Sequence, residues 1–383
     1  MEKRDCAVHA DQRTAGTLAK GMNAGLNLLR FFLAFNVVMF HLWNRAAPGA
    51  GPVAVLGFFF ISGFLITQIV REVYAMPTRA AAFVLNRALR IYPQYLAALG
   101  LALWAINAFP AVASHINSYM RWPESSAEWW PQLAIFGQSS SPVRVLPATW
   151  TLGTELYFYA LIGLGTAQSK KASLVLCFVS LPVGALCAAQ LLPFAFYGSP
   201  IGNAFVFSLG SLAYFYRHAV RVSTPLFVLA CAAYGAHVYA IPALEQSDLD
   251  SGNLAGSLLP FATLMLYVIQ RPVSAAAQPM LVRISHVLGK MAYPLFLLHW
   301  TACIAVSAWL FEGQASTDMP GLWEGGQYFA VALAASLSAS GVFYSLIDRP
   351  IEQLRRRIRQ RKPEAVETTS NAAKPPPPEV INS

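Results

Sequence analysis

Ten apolar runs, each closed by a charged or Pro/Gly-rich break, take up most of this chain: residues 28–45, 52–70, 89–109, 149–167, 172–193, 200–216, 223–241, 255–270, 291–311 and 327–348. Nothing else in the sequence limits the fold as much. A helical run of about 20 apolar residues matches the hydrocarbon thickness of a bilayer, whereas a spanning strand needs only about 10. Inside lipid every backbone N–H and C=O must pair within the protein, which leaves helices or closed barrels. Run length decides for helices. Charged residues make up 12% of the 383, about half the share found in soluble domains. The expected fold class is an all-α integral membrane protein with about ten transmembrane helices. The runs at 200–216 and 255–270 are the shortest.

Lysine and arginine supply an independent check, because basic loops stay on the cytoplasmic side. Ten crossings put both termini on one side. With that side cytoplasmic, 24 of the 27 basic residues fall in inner segments, and only Arg45, Arg121 and Arg144 lie outside. The outer segments are acidic instead, with Glu245, Asp248 and Asp250 in one of them. A different number of crossings scrambles this asymmetry. The expected organisation is a cytoplasmic N-terminal segment, 1–27, a transmembrane domain, 28–348, and a basic and then disordered cytoplasmic tail, 349–383.

The net charge of +9 is accounted for by topology, and no basic face with interleaved aromatics points to nucleic acid. The run "LRRRIRQRK" reads as a stop-transfer signal and a contact for anionic lipid. Residues 1–27 lack the apolar stretch of a signal peptide, so insertion is expected to begin with the first helix. The five cysteines form no CxxC pair, which argues against a disulfide framework and a zinc site. No metal is expected. The longest outer segment, 110–148, carries Trp122, Trp129 and Trp130 and suits an interfacial or partly ordered lid.

Polar residues inside the apolar runs are the candidate chemistry, since a charge at membrane depth is costly and usually has a task. Arg30 and His41 stand eleven residues apart in "LRFFLAFNVVMFHLW". Eleven residues make three turns plus about 20°, a rise of about 16 Å, so both side chains share a helix face. Glu155, about 9 Å into the fourth run, is expected at a depth similar to His41, where carboxylate and imidazole can touch. His299 is expected near mid-membrane, with a structural hydrogen bond and a chemical role equally open. Ser62, beside Gly63, suits close helix packing. Arg87 and Arg90 share a face at the start of the third run. With Arg30 at the same level, three guanidinium groups can surround an anion entering from the cytosol, bordered by Tyr92 and Tyr95. Pro93 is expected in the first helical turn.

These residues carry a resemblance. The chain, from about 24 to 357, resembles membrane acyltransferase family 3, which includes bacterial enzymes that O-acetylate surface polysaccharides and lipopolysaccharide. The family's Arg, ten residues, His pattern stands as Arg30 to His41, and its Phe-rich Ser-Gly-Phe motif as "FFFISGFL". Its arginine pair, separated by two residues, matches Arg87 and Arg90. Its Trp-x-Leu-x-x-Glu-x-x-x-Tyr pattern gives Glu155 and Tyr159 in "WTLGTELYFY", and its late Tyr and His match Tyr293 and His299. In "IDRPIE" this chain has Asp348 where the family often has glutamate. No extracellular esterase-like domain is expected after the membrane part, unlike in some relatives.

The resemblance implies transfer of an acyl group, most often acetyl, from cytosolic acyl-CoA to a hydroxyl of an exopolysaccharide, a lipopolysaccharide or a lipid-linked glycan. Acyl-CoA is then a substrate, with no permanently bound cofactor. The implied setting is the inner membrane of a bacterium, with the bilayer, a carbohydrate or glycolipid acceptor and polysaccharide-biosynthesis proteins as partners. In that chemistry Arg30, Arg87 and Arg90 hold the phosphates of CoA, and His41 is the general base. Glu155 orients His41 or binds the acceptor. A transient acyl-histidine is the other route, and Ser62, Tyr159 or His299 can stabilise an oxyanion. Buried Arg, His and Glu also build proton-coupled transporters of anionic substrates, although no matching pair of interrupted helices marks an inverted repeat. A glycosyltransferase ranks last, because the outer acids have no metal-like spacing.

Overall fold

Each of the ten apolar runs is helical in the computed structural model, which describes residues 24–74, 79–242, 251–273 and 277–360. The helices are α1 (Ala24–Leu42), α2 (Ala50–Glu72), α3 (Ala80–Ala108), the short α4 (Pro110–Ile116) and α5 (Ser126–Ala134), and α6 (Trp150–Leu161). There follow α7 (Lys170–Ala188), α8 (Pro200–Tyr216), α9 (Thr224–Gly235), α10 (Ser251–Gln270), α11 (Pro279–Leu310), α12 (Leu322–Phe343) and α13 (Arg349–Gln360). Among the described residues seven helices are long and apolar enough to cross a membrane: α1, α2, α3, α7, α10, α11 and the continuous helix from Leu322 through Ile358. At 12 and 17 residues, α6 and α8 fall short of that length, and α9 gains length only by a π-helical extension, Ala236–Ala240. The expected disordered tail beyond 360, residues 1–23 of the N-terminal segment and the acids Glu245, Asp248 and Asp250 lie outside the described residues, while residues 24–27 already belong to α1.

Several starts differ from the sequence reading. α3 begins at Ala80 and not near 89, so Pro93 lies inside the helix and not in its first turn. α11 begins at Pro279 and not at 291, and contains Pro294. The polar starts of both helices read as loop because hydropathy alone places a boundary at the lipid edge, while the helix continues past it. Internal prolines are tolerated because neighbouring groups satisfy the freed carbonyls.

α2 packs along α8, α8 along α7, α11 along α12, and α3 touches both α11 and α13. Glycine sets the closest crossing. A Cβ built on Gly63 of α2 would meet Phe207 O of α8 at 2.1 Å, and one built on Gly210 of α8 would meet Phe60 O of α2 at 2.0 Å. Only hydrogen fits on either side, as small-residue packing in membranes requires. Next to this crossing Thr67 Oγ1 donates to Ser211 Oγ at 2.8 Å, and Ser211 also pairs with Ser173 of α7 at 2.8 Å. The hydroxyls are thus paired across helices and not left in an apolar core.

The segment between α3 and α6 is more than a surface lid. Tyr92 and Tyr95, the thirteenth and sixteenth of 29 residues in α3, donate their hydroxyls to Ala134 O at 3.0 Å and Gln132 O at 2.5 Å. Gln138 Nε2 donates to Tyr95 Oη at 2.8 Å, and Gln138 Oε1 accepts from Thr149 Oγ1 at 2.7 Å. The segment therefore turns back along α3 to its middle. Irregular backbone at such depth survives because it is buried in protein. Tyr92 and Tyr95 are committed to this fold-back and do not line the arginine cavity. Trp122 and Trp130 remain exposed, in keeping with an interfacial rim.

The rim has a built-in acid sensitivity. The Glu128 carboxylate accepts from Glu124 N at 2.8 Å and pairs with Arg121 at 2.5 Å. Those bonds, the Glu124 amide first, hold the Glu128 carboxyl below its ordinary 4.5. A depressed carboxylate contributes stability that is complete above its unfolded pKa and is lost as pH falls through the folded value. Amide protection at Glu124 is therefore expected to hold steady from about pH 7 to 5 and to drop only below 4.5, measured by hydrogen exchange. A loss already between about pH 7 and 5 would contradict this account.

Candidate functional site

α1 runs from Ala24 to Leu42, so Arg30 is its seventh residue and His41 its eighteenth of nineteen. At 1.5 Å per residue they sit about 9 Å and about 26 Å along the helix. Arg30 therefore lies more than a turn inside the helix, and His41 close to its far end.

A cavity of about 430 Å³ opens between α1, α2, α3, α6, α11 and α13, and Arg30, Arg87, Arg90, Ser62, Glu155 and Tyr159 all line it. Six of the eight residues singled out from sequence are thus brought together. Arg90 lies 3.4 Å from Asp348 and sits over the Tyr293 ring at 5.5 Å. Arg87 sits over Tyr159 at 6.0 Å, and its Nε is buried with no hydrogen-bond partner among the described residues. Arg30 has Arg90, Glu155, Tyr159 and Arg87 as its electrostatic neighbours. Glu155 is the carboxylate that interacts with Arg30. It accepts from Ser62 Oγ at 2.6 Å and from Tyr159 Oη. Ser62 is therefore more than a packing residue: its hydroxyl ties α2 to the carboxylate of α6.

His41 and His299 are not in that lining. His41 borders a second, smaller cavity of about 40 Å³ with Phe40, Ala148, Trp150 and Tyr197, and Val55, Thr151 and Phe296 line both cavities. Three side chains are the partition. The expected contact between His41 and Glu155 is absent among the described residues, because His41 is level with Trp150 and Thr151 and Glu155 lies about a turn deeper, some 6–7 Å along α6. In its place the His41 ring stacks on His299, with centroids 5.3 Å apart and planes at 12°, and packs against Trp300 at 4.8 Å. His299 is fully buried, and its Nδ1 lies 2.9 Å from Phe296 O. A carbonyl only accepts, so Nδ1 carries the proton and Nε2 the lone pair. His299 therefore fixes the plane on which His41 rests.

Several lining residues were not among the candidates for the site: Lys290 and His286 of α11, Asp348, noted only as a departure from the family pattern, and Glu352, Arg355 and Arg356 of α13. Asp348 is buried and accepts from Gln94 Nε2 at 2.5 Å besides facing Arg90. Its sequence signal was its place in "IDRPIE", where the family often has glutamate. The basic run "LRRRIRQRK" was assigned to lipid, yet Arg355 is buried and bonded to Asn86 Oδ1 at 3.4 Å. The cavity's cations outnumber its carboxylates six to three, so it suits an anionic ligand.

The family model described as an acyltransferase domain matches residues 23–344. Nodulation protein 10 of Rhizobium leguminosarum bv. viciae is 28% identical over 242 residues, which span 53% of this chain and 62% of that protein. No solved structure is significantly similar to the chain. With the family model covering most of its length and seven helices fit to cross a bilayer, the chain is a multi-pass membrane protein that belongs to membrane acyltransferase family 3.

Proposed function

We propose that the protein transfers a short acyl group, acetyl in the first instance, from cytosolic acyl-CoA to a hydroxyl of a carbohydrate or glycolipid acceptor across a bacterial inner membrane. Ten crossings with both termini in the cytoplasm complete the proposal. In this orientation the arginine cavity opens to the cytosol and the smaller His41 cavity lies toward the far side. The observation that carries the reading is the pairing of a cationic cavity with an imidazole just beyond a wall of three side chains. Guanidinium groups of Arg30, Arg87 and Arg90 take the donor phosphates in charge-assisted bonds. The pantetheine arm is thin enough to follow the cavity to Val55, Thr151 and Phe296, which brings the thioester within reach of His41.

The acceptor hydroxyl then attacks the thioester carbonyl while His41 takes its proton. The new C–O bond forms, the C–S bond breaks, and the proton passes to the departing thiolate, so CoA leaves as the thiol. Imidazole suits this exchange because it accepts and returns a proton near neutral pH. Glu155, held by Ser62 and Tyr159, acts away from His41. Its charge keeps the three arginines together before the donor arrives. The small volume beside His41, about 40 Å³, favours an acetyl group over longer chains.

The test is direct binding of acetyl-CoA to the full-length protein in nanodiscs, by calorimetry, with Arg30→Ala alongside. Wild type is expected to bind at micromolar concentration, and Arg30→Ala about tenfold or more weakly, since a charge-assisted bond contributes about 1.5–3 kcal/mol. Absence of binding by wild type would remove acyl-CoA as donor.

A further inference from the structure

Sequence past residue 344 lies outside the family match, yet it walls the cavity. The π-helical turn Tyr344–Asp348 carries the chain from α12 into α13 without a break. α13 is then clamped to the beginning of α3. Asn86 Nδ2 donates to Arg355 O at 3.1 Å, and the Arg355 guanidinium returns to Asn86 Oδ1 at 3.4 Å. About two turns before, Asp348 is held by Gln94 at 2.5 Å and Arg90 at 3.4 Å. Bonds at two levels fix the helix and hence the direction of its remaining side chains.

The charges that line this end of the cavity fall into two sets. Arg355 is buried and lies 2.7 Å from Glu352, so its charge serves the clamp. Lys290 has no carboxylate at ion-pair distance among the described residues, and its ammonium donates to Tyr344 Oη at 2.6 Å. An ammonium has three donors, so this bond aims the group and leaves two N–H for a ligand. Arg356 shares Glu352 at 3.3 Å, but its side chain is 59% exposed, as expected at an opening. His286, one turn before Lys290 on α11, is exposed there too. A fixed lysine and an exposed arginine therefore stand at the mouth, apart from Arg30, Arg87 and Arg90.

We propose that Lys290 and Arg356 form a second anion subsite, which reads the ribose 3′-phosphate of the CoA donor. The proposal rests on the acyl-CoA reading above. CoA carries two kinds of phosphate: a diphosphate that joins pantetheine to the nucleotide, and a phosphomonoester on the 3′-carbon of the ribose. A donor threaded acyl end first presents its diphosphate to Arg30, Arg87 and Arg90 and leaves the monoester last, at the mouth. The monoester is a compact dianion, and a lysine ammonium binds it as a point charge. Anionic lipid offers the same chemistry from a different source, a headgroup phosphate at the membrane surface.

The experiment separates these sources. Full-length wild type, Lys290→Met and Arg356→Gln are titrated with CoA and with dephospho-CoA, which lacks only the 3′-phosphate, in phosphatidylcholine nanodiscs and again with phosphatidylglycerol added. Wild type is expected to prefer CoA by about tenfold or more. Each substitution is expected to erase most of that preference and to leave dephospho-CoA affinity within about twofold, which also shows that the variant is folded. A wild type that binds both ligands equally, or a preference untouched by either substitution, would overturn the subsite. So would a preference that vanishes when phosphatidylglycerol is added, since the pair then belongs to lipid. Failure of wild type to bind either ligand is a different result, and it removes the donor assignment itself.

Discussion

His41→Ala is expected to lower acyl transfer about 10²- to 10⁴-fold, the usual contribution of a positioned general base, while acetyl-CoA binding stays within about twofold of wild type. The two effects separate because His41 is not part of the arginine cavity. It lies beyond Val55, Thr151 and Phe296, against the His299 and Trp300 rings. Removing the imidazole takes away a proton acceptor but no phosphate contact. Turnover is followed as release of free CoA in the presence of acceptor, and binding by calorimetry on the same preparation. A variant that keeps turnover within about tenfold would exclude His41 as the base. A variant that loses binding in parallel would show that His41 shapes the donor site instead. The same preparation tests the acyl-histidine route, since only that route leaves acyl label on wild type and none on the variant when acceptor is withheld.

Periodicity made part of the site legible and depth hid the rest. Arg30 and His41 were placed on one face by an eleven-residue spacing alone, because the helical repeat depends on nothing outside the segment. Their depth was not, since a helix boundary depends on what the neighbouring chain packs against. α1 spans Ala24–Leu42 and not 28–45, and its end at Leu42 leaves His41 at the far end and away from Glu155. α11 begins twelve residues before the expected 291, and those residues bring His286 and Lys290 to the cavity. The family motifs named Ser62, Arg87, Arg90, Glu155 and Tyr159, and all five meet at one cavity. Arg355 and Arg356 were missed for a different reason. In a membrane protein a basic run is explained at once by topology, and only tertiary structure shows that one of these arginines is buried against Asn86. Asp348 drew notice as a departure from the family pattern, but its partners, Arg90 and Gln94, are more than 250 residues away.

Gly63→Ala is expected to disrupt the protein more than any other single methyl group added to α2. Its Cβ would lie 2.1 Å from Phe207 O, where real contacts are not closer than 3.0 Å. The obstacle is backbone and cannot rotate away, so α2 and α8 must separate by about 1 Å. The crossing is reciprocal, with Gly210 against Phe60 O at 2.0 Å, so a shift at one glycine loosens the contact at the other. Overpacking usually costs about 1–3 kcal/mol, and a rigid backbone on both sides puts this case at the upper end. Separation also moves Ser62, the neighbouring residue, away from its 2.6 Å bond to Glu155. Among the described residues the carboxylate then keeps only Tyr159 as a hydrogen-bond donor, and its hold on Arg30 weakens. The expected result is a lower thermal midpoint in detergent together with weaker acetyl-CoA binding. Gly100→Ala, on α3 where a new Cβ meets nothing within 4 Å, is expected to change neither. Equal behaviour of the two variants would mean that α2 and α8 are not held at this distance, and that Ser62 reaches Glu155 by some means other than the glycine crossing.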